Sequence, residues 1–182
     1  MIDPDIRALA NRVLEAHRAL GTTVAVAESC TGGLVSAALT DIPGSSDVFD
    51  RGFVTYSDEA KRELLGVGRD VLETFGAVSI ATAWHMAQGA LAHSHADLCV
   101  STTGVGGPDA EDGHPAGTVF LGWATRDEAG HRVDDDRIVR GDHGVPRTGH
   151  QHPQAPHVGV GDLGGVAVGH RGRFVIGALA QP

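Results

Sequence analysis

The chain has 182 residues, of which 41% are hydrophobic and 20% are charged, and these values indicate one globular domain rather than wholesale disorder. Its formal net charge of −9 disfavours nucleic acid as a partner, because binding to phosphates depends on clusters of Lys and Arg. There is no apolar run of the roughly 18–20 residues that cross a bilayer, no pattern of a signal peptide and no disulfide framework, so we expect a cytoplasmic protein with no membrane partner.

The first elements alternate between helix and strand. Asp3-Pro4 is typical of a helix start, and apolar residues then recur at spacings of three and four, which predicts an amphipathic helix over about 4–20. The β-rich letters TTVAVA predict a buried strand over 22–27. The turn ESCTGG follows at 28–33, and a short helix of small residues is predicted over 34–39.

After a loop rich in Pro, Gly and Ser, the apolar stretch 48–55 predicts a second strand that ends at Tyr56. Ser57 is a suitable N-cap for a helix that ends at Gly66. A short helix is predicted over 69–75, and Ser79 is expected to cap a longer one that runs to about His95.

Strands are predicted over 97–103 and 117–125, with a Gly-, Pro- and Asp-rich loop between them, and a last strand over 133–139. Helices that alternate with short apolar strands indicate an α/β layered domain with a mainly parallel sheet. Ligands of such folds bind at loops beyond the carboxyl ends of the strands, and the loops 28–33 and 104–110 meet that condition.

The turn ESCTGG offers three candidate nucleophiles, Ser29, Cys30 and Thr31, at the junction of a strand and a helix. Its two glycines allow a ligand to approach the backbone, and free N–H groups at a helix start can hold a phosphate or an oxyanion. The alternative is that Ser29 or Thr31 only caps the helix.

Tyr56 and Lys61 are the only Tyr and the only Lys of the chain, and they lie five residues apart. Lys can lose its proton when desolvated whereas Arg cannot, so Lys61 is a candidate general base of the kind that pairs with Ser in Ser-Lys enzymes. The alternative is a solvent-exposed lysine on a helix surface.

The loop TTGVGGPD at 102–109 is a second Gly-rich candidate, although it lacks the Gly-Lys-Ser/Thr of a Walker A motif. Histidine pairs occur at 93 and 95 and at 150 and 152, but none has zinc-site spacing, so we expect no metal and no cofactor.

Seven motifs occur in one order and together resemble the C-terminal domain of the CinA family, the nicotinamide-nucleotide amidohydrolases. They are AESCTGG at 27–33, DIPGSS at 41–46, RGFVTYSDEAK at 51–61, LLGV at 64–67, FGAVS at 75–79, TGVGGPD at 103–109 and GTVFLG at 117–122.

The resemblance implies a three-layer α/β/α fold with a mixed, mostly parallel five-stranded sheet, in a homo-oligomer. It implies hydrolysis of the carboxamide of nicotinamide mononucleotide to nicotinate mononucleotide and ammonia, with Ser29, Tyr56 and Lys61 as catalytic residues. The residues expected to bind substrate come from the two Gly-rich loops: Glu28, Cys30, Thr31, Gly32, Gly33, Thr103, Gly104, Gly106 and Gly107.

The resemblance covers about residues 5–140, and we predict a domain over 1–140 followed by a Gly-, His- and Pro-rich tail over 141–182 that is expected to be mostly irregular. The family typically has Gly-Asp-Arg and then an amphipathic helix, whereas this chain has Gly141-Asp142-His143. A catalytically silent nucleotide-binding or interaction module is therefore the alternative function. A shift of reading frame after about residue 140 is one hypothesis for the departure, and translation of the other two frames tests it.

Overall fold

A computed structural model describes residues 2–126, 132–133 and 139–142. Within these residues the α-helices are α1 (Pro4–Leu20), α2 (Leu34–Thr40), α3 (Asp58–Leu65), α4 (Arg69–Phe75) and α5 (Ile80–Ala92). The strands are β1 (Val24–Glu28), β2 (Phe49–Val54), β3 (Leu98–Gly104), β4 (Thr118–Arg126), β5 (Arg132–Val133) and β6 (Val139–Asp142). None of the described helices is long and apolar enough to cross a membrane.

The strands form one mixed sheet in the order β2-β1-β3-β4, and the short strands β5 and β6 pair with the other edge of β4. β1 runs parallel to both of its neighbours, whereas β4 is antiparallel to β3. Glu28 at the end of β1 lies level with Val54 of β2 and Thr102 of β3. The carboxyl ends of three strands therefore meet at one edge of the sheet.

Helices cover both faces of the sheet, which confirms the predicted α/β class and its three layers. α5 packs on β4, β3 and β1, and α3 and α4 pack against α5; α2 packs on β1 and β2 on the opposite face, together with α1. The main core lies on the α5 face, where small side chains of the strands, Ala25, Ala27, Cys99 and Ala124, contact Met86 and Leu91.

Local signals set the helix boundaries much as the sequence predicts. Asp3 accepts a hydrogen bond from the amide of Asp5 at 2.8 Å, and Ser57 accepts one from the amide of Ala60 at 3.1 Å. The helices α1 and α3 end at Gly21 and Gly66, both in the left-handed conformation. Such capping needs only residues adjacent in the sequence, so the pattern can predict it.

The end of α5 differs from the prediction, because the helix ends at Ala92 and not near His95. The guanidinium of Arg126 donates hydrogen bonds to the carbonyl oxygens of Leu91 and Ser94, and so satisfies acceptors at the helix end. Arg126 lies 35 residues from Leu91 in sequence, and local periodicity does not reveal such a partner.

The prediction of a last strand over 133–139 falls partly outside the described residues, which include β5 and β6 but not 134–138. Both strands pair antiparallel with β4. Gly141 and Asp142 end β6. The rest of the predicted irregular tail, with His143, lies outside the residues that the structure describes.

Candidate active site

A pocket of about 530 Å³ opens at the edge where β1, β2 and β3 end. Four segments line it: the turn after β1, the start of α3, the turn before α5 and the loop after β3. The lining consists of Ser29, Cys30, residues 56–58, Lys61, Ala77, Val78 and residues 103–111. The predicted residues Ser29, Tyr56 and Lys61 are therefore brought to one pocket from separate elements.

Ser29 follows β1 directly and is 7% exposed. Its amide donates to the carbonyl oxygen of Thr102 at 2.9 Å, which ties the turn to β3. Its hydroxyl forms no hydrogen bond with any described residue, so the oxygen is available to a ligand in the pocket.

The other two candidate nucleophiles are less suited to attack. Burial raises the pKa of the Cys30 thiol, which keeps it protonated near neutral pH. The hydroxyl of Thr31 donates to Glu28 Oε2 at 2.7 Å and also contacts Thr102 Oγ1 at 2.8 Å. The surroundings thus favour Ser29 among the three.

Glu28 is fully buried and its carboxylate binds the start of α2. Oε1 accepts from the amide and the hydroxyl of Ser36, and Oε2 accepts from the amides of Gly33 and Val35 in addition to Thr31. Burial alone would raise the pKa of Glu28, but these hydrogen bonds outweigh it and hold the pKa below its ordinary value. Glu28 is not among the pocket-lining residues, so its geometry is that of a support for the turn.

Some of the amides of the first loop are already occupied. Gly32 donates to the carbonyl oxygen of Ser29 at 3.0 Å, and Gly33 donates to Glu28. Gly32, Gly33 and Thr31 do not line the pocket. Within the described residues, the amides of Cys30 and Thr31 in the first loop and of Gly106, Gly107 and Asp109 in the second donate to no backbone carbonyl oxygen.

Lys61 lies on α3 with only 1% of its surface exposed. Its Nζ donates to the carbonyl oxygen of Tyr56 and to Oδ1 of Asp58, both at 3.5 Å. The prediction did not identify Asp58, although its spacing of three residues from Lys61 on a helix is a signal that could have found it. The structure therefore excludes the alternative of a solvent-exposed lysine.

Tyr56 stands at the rim of the pocket, just after β2, and is 74% exposed. Its carbonyl oxygen accepts a hydrogen bond from Lys61 Nζ, so the residue contributes a backbone atom to the site. Ser57, its neighbour, both lines the pocket and caps α3.

The second loop forms one wall of the pocket. Thr103 lines it, but the hydroxyl of Thr103 donates to the carbonyl oxygen of Ala77 at 2.7 Å and thereby anchors the turn before α5. A methyl group on Gly104 would lie 2.3 Å from the carbonyl oxygen of Thr118 and 3.2 Å from Cys30 Sγ. Gly104 therefore permits the close contact between β3, β4 and the first loop.

The sequence analysis did not predict the acidic side chains of this wall as site residues. Asp109 and Glu111 line the pocket, and with Asp58 they place three carboxylates around it. The described residues contain no group of three or more His, Cys, Asp or Glu placed to hold a metal ion. The pair at 150 and 152 lies outside those residues.

The family model of the CinA C-terminal domain matches residues 6–144 of this chain. The nicotinamide-nucleotide amidohydrolase PncC of Escherichia coli K12 is 48% identical over 126 residues, which cover 69% of this chain and 76% of that protein. A putative competence-damage inducible protein of Caldicellulosiruptor saccharolyticus is 49% identical over 138 residues, or 74% of this chain. The chain spans only 34% of the length of that relative.

Solved structures show the same similarity. The competence/damage inducible protein CihA from Agrobacterium tumefaciens has a TM-score of 0.68 and 47% identity, over 79% of this chain and 86% of that one. A CinA-superfamily protein from Escherichia coli has a TM-score of 0.70 and 34% identity, over 80% of this chain and 81% of that one.

Proposed function

The chain belongs to the family of CinA C-terminal domains, and from that premise we propose that it hydrolyses the carboxamide of nicotinamide mononucleotide to nicotinate mononucleotide and ammonia. Relatives of similar length that are 48% identical bear the name nicotinamide-nucleotide amidohydrolase. The observation that carries the proposal is the convergence of Ser29, Lys61 and Tyr56 on one pocket, where Ser29 has a free hydroxyl.

The proposed reaction begins at Ser29. Lys61, as the neutral amine, takes the hydroxyl proton while Ser29 Oγ bonds to the carboxamide carbon, and Tyr56 orients the pair or relays the proton. The amide of Cys30, or the amides of Gly106 and Gly107, all from residues that line the pocket, donate to the oxyanion that forms.

The intermediate then collapses. The carbon–nitrogen bond breaks, Lys61 returns the proton to the leaving nitrogen, and ammonia departs. A water molecule, deprotonated in turn by Lys61, attacks the nicotinoyl ester on Ser29, so that nicotinate mononucleotide is released and the hydroxyl is restored. No redox step is involved.

The charges of the pocket support a pyridinium nucleotide as the substrate. Asp58, Asp109 and Glu111 line the pocket, and their carboxylates would attract the positive ring of nicotinamide mononucleotide. The pocket-lining amides that do not face the oxyanion are available to the phosphate of the substrate.

The first test is turnover. Purified protein is incubated with nicotinamide mononucleotide, and nicotinate mononucleotide and ammonia are followed over time. We expect Ser29→Ala to lower kcat by at least about 10³-fold, because it removes the attacking oxygen. Ser46→Ala, at an exposed serine in the short 3-10 helix Ser45–Asp47 that follows α2, is the matched control and should retain full activity.

Two results would count against this mechanism. Turnover by Ser29→Ala at the wild-type rate would exclude Ser29 as the nucleophile. Mass spectrometry of acid-quenched single turnovers should find the nicotinoyl adduct on the peptide that contains Ser29. When hydrolysis of the ester is the slower step, the adduct must accumulate. Its absence under that condition would show that no ester forms on Ser29.

The alternative function is a silent module that binds the nucleotide without turnover. It is favoured by Gly141-Asp142-His143, where the family typically has Gly-Asp-Arg. Calorimetry separates the two, because saturable binding of nicotinamide mononucleotide by a folded protein without ammonia release would support the module.

The family resemblance also leads us to propose that the protein is a cytoplasmic homo-oligomer that acts in pyridine-nucleotide salvage. Light scattering would measure its oligomeric state.

A further inference from the structure

The wall of the pocket formed by residues 105–111 belongs to the long connection between β3 and β4, so something must hold that segment in place. At its base, the amide of Val105 donates to the carbonyl oxygen of Thr118, and the amide of Gly117 donates to that of Val105. At its far end, Glu111 and His114 exchange two backbone hydrogen bonds, of 3.0 and 2.8 Å.

Asp112 occupies the tip of this turn, immediately after the last pocket-lining residue. Its φ of 49° is the only positive value among the described residues other than glycine. Asp and Asn are the non-glycine residues that best tolerate this conformation. The position therefore demands an unusual backbone, and the side chain found there is one of the few that accept it.

The carboxylate of Asp112 reaches across to the turn before α5, 34 residues away in sequence. Oδ2 accepts a hydrogen bond from the amide of Val78 at 3.0 Å. A methyl group on Gly76 would lie 2.5 Å from the same oxygen, so the carboxylate rests directly against the bare backbone of Gly76. Val78 itself lines the pocket and is 3% exposed.

The turn that Asp112 contacts is in turn fixed to the sheet. Thr103 donates to the carbonyl oxygen of Ala77, and Val78 packs with Val105 and Phe120 in a small apolar cluster. Asp112 thus joins the wall of the pocket to the part of the fold that is anchored to β3.

We propose that Asp112 is a positioning residue, which latches the wall 105–111 to the turn before α5 and so sets how tightly the pocket holds its substrate. The proposal rests on the proposed function for its effect on KM. The latch does no chemistry, so its loss acts on substrate binding and on the donors at Gly106 and Gly107 rather than on Ser29.

Two variants isolate the latch. Asp112→Gly removes the acceptor but accepts the positive φ, so it loosens the contact without adding backbone strain. Asp112→Asn keeps an oxygen acceptor and tolerates the same φ. We expect Asp112→Gly to raise KM for nicotinamide mononucleotide about tenfold with a smaller change in kcat, as for the loss of one charged hydrogen bond, and Asp112→Asn to stay near wild type.

Hydrogen exchange of the protein without substrate provides a readout that does not need activity. The amide of Val78 should exchange about tenfold faster in Asp112→Gly, and should keep its protection in Asp112→Asn. If the wild-type protein turns over no substrate, the proposed function fails, while exchange at Val78 still tests the latch.

The proposal is overturned if Asp112→Gly leaves KM and exchange at Val78 unchanged, or if Asp112→Asn behaves like Asp112→Gly. Faster exchange at Val78 together with an unchanged KM would also overturn it, because Asp112 would then stabilise the turn without positioning the pocket wall.

Discussion

Lys61 combines deep burial with a polar environment at its amine. The side chain is 1% exposed, and Nζ has a carbonyl oxygen and one carboxylate oxygen within 3.5 Å. That carboxylate belongs to Asp58, which is itself exposed on the first turn of α3. Two acceptors thus hold the amine inside the protein, and the residue still lines the pocket.

Replacement of Lys61 separates its charge from its ability to exchange a proton. We expect Lys61→Arg to lower kcat by about 10²-fold or more, because a guanidinium stays protonated and cannot act as a base. Arg62→Lys, the neighbouring exposed position on α3, is the matched control and should leave kcat unchanged. Circular dichroism verifies folding of each variant. A fully active Lys61→Arg would mean that Lys61 acts only as a positive charge.

The sequence predicted which individual residues to examine, but not which residues their side chains contact. Lys61 and Tyr56 are each unique in the sequence, and Ser29 stands in a Gly-rich turn after a strand, so the sequence alone singles out three residues that the structure places at one pocket. Glu28 was predicted to bind substrate, whereas its carboxylate is occupied by α2. The sequence pattern does not indicate a role for Asp112, because its contact with Val78 depends on the path of a long loop.

At the scale of elements, α2 depends on a buried carboxylate at its start. It has seven residues, its N-cap is Gly33, and no side chain of that cap accepts a hydrogen bond. Glu28 replaces the cap, since it accepts from the amides of Gly33, Val35 and Ser36. Because the same residue directly precedes Ser29, the support of the helix and the placement of the proposed nucleophile are linked.

The change Glu28→Gln tests this support. The amide nitrogen of Gln would face N–H or O–H groups that now donate to a carboxylate, leaving buried donors unsatisfied. We expect a loss of about 3 kcal/mol in the free energy of unfolding, measured by urea denaturation.

Glu59→Gln, an exposed acidic residue in the first turn of α3, is the control and should cost less than about 1 kcal/mol. If Glu28→Gln were no more destabilising than this control, the hydrogen bonds to the start of α2 would contribute little to stability.

Element boundaries were predictable wherever the signal is local. The caps at Asp3, Ser57 and Ser79 fall where the sequence places them. The end of α5 does not, because Arg126 from the end of β4 satisfies its last carbonyls. Strand pattern also does not encode strand direction, so the antiparallel pairing of β4 with β3 follows from the tertiary fold.

Across the whole molecule, the two ends of β1 lie in different surroundings. Its carboxyl end carries the pocket, whereas its amino end is anchored by buried polar contacts. There, His17 at the end of α1 is 2% exposed, and its Nδ1 lies 2.8 Å from Thr22 Oγ1. Asp97 accepts hydrogen bonds from the amide and the hydroxyl of Thr23. Stability at the amino end should therefore depend on pH separately from catalysis.

Burial lowers the pKa of His17 from its ordinary value of 6.5, and this effect outweighs the opposing attraction of Asp97. The folded state therefore binds fewer protons than the unfolded state below about pH 6.5, so stability falls as the pH is lowered from there to the folded pKa. The contribution of Glu28, whose pKa is also lowered, is lost only at more acidic pH, below its ordinary value of 4.5.

Urea denaturation between pH 7 and pH 5 measures the first of these losses. We expect the free energy of unfolding to fall with a slope of up to about 1.4 kcal/mol per pH unit from His17, and this component to be absent in His17→Gln, which has no titrating ring. His93→Gln, at an exposed histidine directly after α5, is the control and should keep the wild-type slope. Equal slopes in wild type and His17→Gln would show that His17 does not couple folding to pH, because linkage requires that the two states bind different numbers of protons.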